Sequence, residues 1–193
     1  IARPMLNYNE IVPKKIIDIE GEPFEVLSSH VFRKQQRKPV NQTKLKSLMS
    51  GKVIERSFHQ SEKVDEADVE SREVKYLYTN RGESWFCATE DPRDRFSLPE
   101  DSVAAELRFI KENAVVTLRT YDDKPLGITT PIKVELVVTE APPAVKGNTA
   151  QGATKQVTLE TGATITVPIF IGEGDVLRIN TDTGEYTERV EKG

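Results

Sequence analysis

The segment "KKIIDIEGEPFEVLSS", residues 14–29, sets the grammar of the chain. Ile16, Ile17 and Ile19 precede Glu20-Gly21-Glu22-Pro23, and Phe24 and Val26 follow it. Short apolar-rich runs on either side of a Gly-bearing turn read as strand, turn, strand. The pattern recurs outward from there. "VKYLYTNRGESWFCAT" (74–89) bends at Asn80-Arg81-Gly82-Glu83, and "AVVTLRTYDDKPLGITT" (114–130) bends near Asp122-Asp123-Lys124. "KVELVVTEAPP" (133–143), "KQVTLETGATITVPIFI" (155–171) and "DVLRINTDTGEYTERV" (175–190) supply the last strands. Only "PEDSVAAELRFI" (99–110) predicts a helix, opened by Pro99-Glu100-Asp101 and apolar at Val103, Ala104 and Leu107. Short strands at this spacing, without long helical patterns between them, predict an all-β protein of small barrels.

Two boundaries divide the 193 residues. The acidic, strand-poor stretch "SEKVDEADVESRE" (61–73) ends a basic first part, and Thr130-Pro131 precedes a fresh run of strands. The expected domains are 5–66, 69–130 and 131–192. Each is about 60 residues, near the lower limit for independent stability, so the pieces should lean on one another. Residues 1–4, which do not open on Met, are set aside from this reading.

Composition narrows the function. Charged residues make up 30% and hydrophobic ones 37%, as in an ordinary globular chain. No apolar run reaches the roughly 18 residues of a membrane span, and "IARPMLNYNEIVPKK" lacks a signal-type apolar core. A lone cysteine, Cys87, excludes an internal disulfide and a cysteine-cluster metal site. The expectation is a cytoplasmic protein with no membrane partner. The net charge of -4 is uneven. Seven Lys/Arg and no acid lie between Glu25 and Glu55, six of them in "HVFRKQQRKPVNQTKLK" (30–46). Flanking alternation places Arg33, Lys34, Gln35, Gln36, Arg37 and Lys38 at the end of a hairpin. One directed contact with phosphate, or plain solvation of an exposed turn, would each account for such a patch. With no Gly in the turn and Pro39 on the return, a wide loop is expected. Six residues projecting beyond a barrel reach about 20 Å.

No catalytic constellation emerges. His30 and His59 are isolated, and Gly172-Glu173-Gly174 reads as a turn rather than a phosphate loop. Asn41-Gln42-Thr43 matches a glycosylation sequon without any sign of secretion. Tyr76, Tyr78, Trp85 and Phe86 could stack bases, but they fit the core of a small barrel at least as well, and core is the favoured reading. The expectation is therefore no enzyme activity, cofactor, metal or small-molecule substrate.

Lys155, Val157, Gly162, Ile165, Val167-Pro168, Ile171 and Gly174, within residues 155–175, stand at the spacing of the elongation factor P signature. "INTDTGEYTERV" (179–190) resembles that family's last strand and loop, and "APPAVKGNTA" (141–150) its preceding linker. "TKLKSLMSGKVIERSF" (43–58) and "YLYTNRGESWF" (76–86) resemble its tip strand and middle-domain hairpin. The resemblance implies three small barrels in an L shape, a KOW/SH3-like domain followed by two OB folds. It implies a translation elongation factor without its own active site. Such a factor binds both ribosomal subunits beside the peptidyl-tRNA, works as a monomer, and promotes peptide bonds at proline-rich stalls. The eukaryotic hypusine-bearing factor is the counterpart of the first two domains only.

In that family the tip residue is usually a lysine or arginine, often extended by an enzyme. Eight positions before Lys44 stands Gln36, which has no amine or guanidinium to carry such a group. The resemblance implies that Gln36 works unmodified, with modification of Lys34 or Arg37 in a shifted loop as the alternative. It further implies RNA contacts from Lys146, Gly147, Asn148 and Thr149, and from Thr181, Thr183, Gly184, Glu185 and Tyr186. Asn148 stands where the family has an acid. A general single-stranded RNA-binding protein is the competing reading, weakened by the net acidity of residues 66–193. An uncharacterised enzyme on the same fold is a third.

Overall fold

The computed structural model describes residues 3–33, 35, 37–143 and 152–193, and among them run sixteen strands and one helix. The chain separates into two compact units, Ile1–Ser71 with Arg119–Gly127, and Arg72–Leu118 with Ile128–Gly193.

The first unit holds β1 (Met5–Asn7), β2 (Ile16–Ile19), β3 (Glu22–Phe32), β4 (Val40–Ser47), β5 (Val53–His59) and β6 (Lys63–Glu66). They form one sheet in the order β1-β6-β2-β3-β4-β5. Leu6, Ile11, Ile17, Phe24, Val26, Leu45, Phe58 and Val64 are buried together inside it. Two sequence expectations need correction here. The stretch taken as strand-poor contains β6, which pairs with β1 and β2, and the start of the next strand. Val64 alone points fully inward from β6, so a strand this short hides among charged neighbours. Arg3 and Pro4, set aside in the sequence, are also not outside the fold. The Glu66 N–H donates to the Pro4 carbonyl at 2.8 Å, and Arg3 pairs with Asp18 at 2.5 Å and with Asp122 at 2.6 Å.

The second sheet comprises β7 (Glu70–Asn80), β8 (Glu83–Ala88), β9 (Arg95–Pro99), β10 (Val115–Tyr121) and β11 (Lys124–Thr129), ordered β11-β10-β7-β8-β9. The helix α1 (Glu100–Leu107) follows β9, with Glu100 and Asp101 in its first turn where the helix dipole favours acids. Val103 is buried and Leu107 partly so, whereas Ala104, expected on the apolar face, is exposed. The third sheet, β12 (Lys133–Glu140), β13 (Thr154–Leu159), β14 (Thr164–Pro168), β15 (Val176–Asn180) and β16 (Glu185–Glu191), runs β14-β13-β12-β15-β16. Within the second unit the two cores meet. Phe109, just beyond α1, is buried among Leu136, Val138 and Ile165 of the third sheet, and Val134 packs against both clusters.

Turn chemistry explains the hairpins. Glu20-Gly21, Arg81-Gly82 and Asp122-Asp123 each place two successive residues at positive φ, the two-residue geometry that matches strand twist. The four aromatics favoured as core divide. Phe86 is fully buried and Tyr76 packs on it, but Tyr78 is 40% exposed and Trp85 only half-buried. The ladder shifts register between Tyr76 and Tyr78, so Leu77 forms a bulge and Tyr78 turns to the opposite face.

Candidate nucleic-acid interface

The basic stretch lies where β3 and β4 end. Their pairing runs from Phe24↔Ser47 to Phe32↔Val40, and Val40 also pairs with His59 of β5. Arg33, Gln35 and residues 37–39 therefore lie beyond the last rung of a three-stranded ladder. Arg33, Gln35, Arg37 and Lys38 are all exposed, while Lys34 and Gln36 fall outside the described residues. The Arg33 Nε donates to the Arg37 carbonyl at 3.3 Å, holding the two sides of the loop together. Among the described residues, the ion pairs of this unit join Arg3 to Asp18 and Asp122, Lys15 to Glu66 and Arg56 to Glu62. Arg33, Arg37 and Lys38 have no carboxylate partner among them. Cations left unneutralised at the end of a stiff ladder are available to phosphate.

The sequence reading missed how the ladder is held. In β4, Asn41, Thr43, Leu45 and Ser47 point inward and are buried, while Gln42, Lys44 and Lys46 point out. The Asn41 Nδ2 donates to the carbonyls of Tyr8 at 2.6 Å and Ile11 at 3.0 Å. The Thr43 hydroxyl donates to the Arg56 carbonyl at 2.8 Å, and the Ser47 hydroxyl bonds Glu22. Fully buried and committed to backbone, Asn41 is in no position to accept a glycan. Its signal was present as a run of alternating small polar residues in a strand whose apolar content is too low for an inward face. A second register shift, between Val26 and Ser28, turns His30 and Phe32 outward, and their rings stack at 6.0 Å and 19° below the loop.

The turn over residues 181–184 is a separate feature of the second unit. Asn180 Oδ1 accepts from the N–H groups of Asp182 at 2.9 Å and Thr183 at 3.2 Å. Thr183 and Glu185 are exposed, whereas Thr181, Gly184 and Tyr186 are half-buried with structural partners. The Thr181 hydroxyl donates to the Pro131 carbonyl at 2.7 Å, and Tyr186 packs on the core of the third sheet. A Cβ on Gly184, which sits at φ +71, would lie 3.4 Å from Phe109. Lys146, Gly147, Asn148 and Thr149 fall outside the described residues.

Family models for elongation factor P match the chain in three consecutive pieces. The KOW-like domain covers residues 7–64, the OB domain 69–128 and the C-terminal domain 134–189. Elongation factor P of Carboxydothermus hydrogenoformans is 38% identical over 186 residues, covering 96% of this chain and 100% of the relative. The chain belongs to the elongation factor P family. The elongation factor P of Thermodesulfovibrio yellowstonii is 37% identical, covering 97% of this chain and all of the relative. Among solved structures, the eukaryotic translation initiation factor 5A from Methanococcus jannaschii shares the fold, with a TM-score of 0.54 at 13% identity. It covers 65% of this chain and 94% of its own length. A translation factor from Naegleria fowleri of the same type gives a TM-score of 0.52 at 11% identity, covering 67% of this chain and 98% of its own. The all-β reading with KOW-like and OB domains holds, and elongation factor P membership makes this a translation elongation factor that works with the ribosome. No helix among the described residues is long and apolar enough to cross a membrane.

Proposed function

We propose that the loop at the head of β3 and β4 is the working part of this elongation factor, contacting the CCA end of peptidyl-tRNA beside the ribosomal P site. The observation that carries this reading is a set of exposed cations, Arg33, Arg37 and Lys38, without ion-pair partners among the described residues, on a ladder fastened by a buried asparagine. Lys34, Arg37 and Lys38 clasp backbone phosphates, and the Gln36 amide acts unmodified near the CCA end. Modification of Lys34 or Arg37 is the second reading, favoured by the family's habit of extending a tip cation. The factor performs no bond chemistry itself. Proline constrains its own reactive geometry, and holding the tRNA end still lowers the entropic part of the barrier. A tenfold gain needs only about 1.4 kcal/mol.

The proposed division is 5–66 for the KOW-like domain, 69–130 for the central OB domain and 131–192 for the last one. The third domain supplies further RNA contacts through residues 146–149 and through Thr183 and Glu185, the exposed ones among the contacts expected at the later turn. The protein acts as a cytoplasmic monomer bridging both subunits. Two experiments test this. Alanine replacement of residues 33–38 should abolish acceleration of a proline-run reporter and leave a proline-free reporter unchanged. Equal effects on both reporters would favour general RNA binding instead. Intact mass of protein from its native host should equal the mass of the unmodified chain, and an adduct mapped to residues 34–38 would refute an unmodified Gln36.

A further inference from the structure

The outer face of β7, β8 and β9 carries a feature that the hairpin loop does not explain. After the bulge at Leu77, the rows across these strands are Tyr78–Trp85–Ser97 and Asn80–Glu83–Pro99 towards the turn. On the other side of the bulge the next row on that face is Lys75–Cys87–Arg95, in which Cys87 is buried and Lys75 and Arg95 flank it. Tyr78 and Trp85 stack on each other with ring centroids 6.5 Å apart and planes 29° from parallel. With Asn80, Arg81 and Glu83 they line an open recess of about 350 Å³. A pair of large rings left on the outside of a small barrel forgoes the core burial that normally holds aromatics, and so calls for an occupant.

Charge tells which occupant. Arg81 and Arg95 are exposed and Lys75 is half-buried. The ion pairs of this unit, among the described residues, involve Arg72, Lys111, Arg178 and Arg189, so none of these three is neutralised by a carboxylate there. The one acid at the recess, Glu83, accepts a hydrogen bond from the Ser97 hydroxyl at 2.5 Å. Thus an aromatic platform lies between Arg81 at one end and Lys75 with Arg95 at the other, on a part of the chain that is acidic overall. Planar faces between cations suit a base flanked by its two phosphates. The strand 2–3 surface of an OB barrel is also where such folds accept oligonucleotides.

We propose that Tyr78 and Trp85 form a stacking site for one unpaired RNA base, with Arg81 on one neighbouring phosphate and Lys75 and Arg95 on the other, and with Asn80 offering its amide to the base edge. This site is independent of the hairpin loop. It tolerates different bases, because every base presents a π face, and it tracks backbone through charge.

Trp85 is the chain's single tryptophan, which makes it a built-in reporter. A short unstructured oligouridylate titrated into the full chain at low salt should quench Trp85 emission. Tyr78→Phe should preserve the affinity and Tyr78→Ala should weaken it by about 5- to 150-fold, the range for loss of one base stack. Arg81→Gln and Lys75→Gln should each flatten the slope of log affinity against log salt by about 0.7. Alanine replacement of residues 33–38 should leave the quench intact, which separates failure of this site from failure of the hairpin reading. Unchanged Trp85 emission overturns the proposal, and so does a quench that survives in Tyr78→Ala or disappears with the hairpin variant. On the assembled ribosome, a photo-crosslinker at position 80 should reach RNA. Crosslinks to protein alone would make this a protein-docking surface and also overturn it.

Discussion

Replacing Asn41 by alanine should loosen the ladder that carries the basic loop. Asn41 is fully buried, and its Nδ2 is shared between the Tyr8 and Ile11 carbonyls at 2.6 and 3.0 Å. Truncation leaves both carbonyls facing a space from which the donor has gone, at about 1–3 kcal/mol each. Part of this is returned, because Asn41 Oδ1 is itself buried without a partner among the described residues and vanishes with the side chain. Removing that unpaired acceptor recovers about 1–2 kcal/mol, so the net loss is about 1–4 kcal/mol. Leucine, which fills the volume, should do no better than alanine, because the missing donors rather than the cavity set the cost.

A single melting curve is a poor readout for a chain of two units. Amide hydrogen exchange resolves them. In Asn41→Ala the protected amides of β3, β4 and β5 should exchange about 5- to 700-fold faster under conditions where reclosing is fast relative to chemical exchange, and those of β12–β16 should be unchanged. A change below about threefold in β3–β5 would refute the view that these two hydrogen bonds hold the ladder. Uniform acceleration in every strand would refute its confinement to the first unit. The same variant should slow the proline-run reporter without touching any of the loop cations.

Asp175 supplies an acid-dependent prediction. Burial pushes its pKa up, but the Gly172 and Gly193 N–H groups and Arg189 outweigh that, and the net shift is downward. A carboxylate with a depressed folded pKa stabilises above its unfolded value, and that contribution is lost as pH falls through the folded one. Asp175→Asn should therefore melt earlier than the parent at neutral pH, and the gap should close as pH drops below about 4; a constant gap would contradict the assignment. Tyr121 behaves in the opposite sense. It is 2% exposed, burial raises its pKa first, and its hydroxyl donates to Asp18 beside Arg3. The neutral phenol is the form the fold holds, so its stabilisation is present below the unfolded tyrosine pKa and is lost as pH rises through the folded one. Alkaline spectrophotometric titration should show one of the five tyrosines ionising only together with unfolding, and Tyr121→Phe should remove that step. The same substitution should cost about 1–2 kcal/mol at neutral pH through the lost hydrogen bond.

Strand positions and turns were legible because they are local. Glu20-Gly21 and Arg81-Gly82 announce two-residue hairpins through a residue that accepts positive φ, and alternating apolar residues mark what faces inward. The exposed basic loop was legible for the same reason, since four cations within six residues and no acid nearby cannot be buried. What escaped reading depends on partners distant in the chain. Val64 looks unremarkable until β1 and β2 flank it, and Arg3 looks like a tail residue until Asp18 and Asp122 meet it. Asn41 matched a surface sequon, and only the carbonyls of Tyr8 and Ile11 show that it belongs inside.

The aromatics failed for a sharper reason, and it links the two surfaces assigned to RNA. Period-two alternation carries Phe24 and Val26 inward, and continued strictly it would bury Ser28 and His30. It would likewise send Tyr78 inward after Tyr76. In both strands one leucine, Leu27 or Leu77, is inserted against a single partner, and every later side chain changes face. Each bulge sits inside an eleven-residue strand, Leu27 at its sixth residue and Leu77 at its eighth, and the residues beyond it are more exposed than those just before it. The result is the same twice: an aromatic pair, His30 with Phe32 or Tyr78 with Trp85, stands on the outside next to unpaired cations. Deleting Leu27 or Leu77 would remove only the extra residue and make Val26↔Leu45 and Ser28↔Lys44, or Tyr76↔Phe86 and Tyr78↔Trp85, consecutive rungs, so the rings keep their outward face. Deleting either bulged leucine is thus expected to be far less damaging than deleting a paired residue farther along the same strand, such as Ser29 or Thr79, which would turn every later side chain to the other face; equal loss of stability in both deletions would refute this.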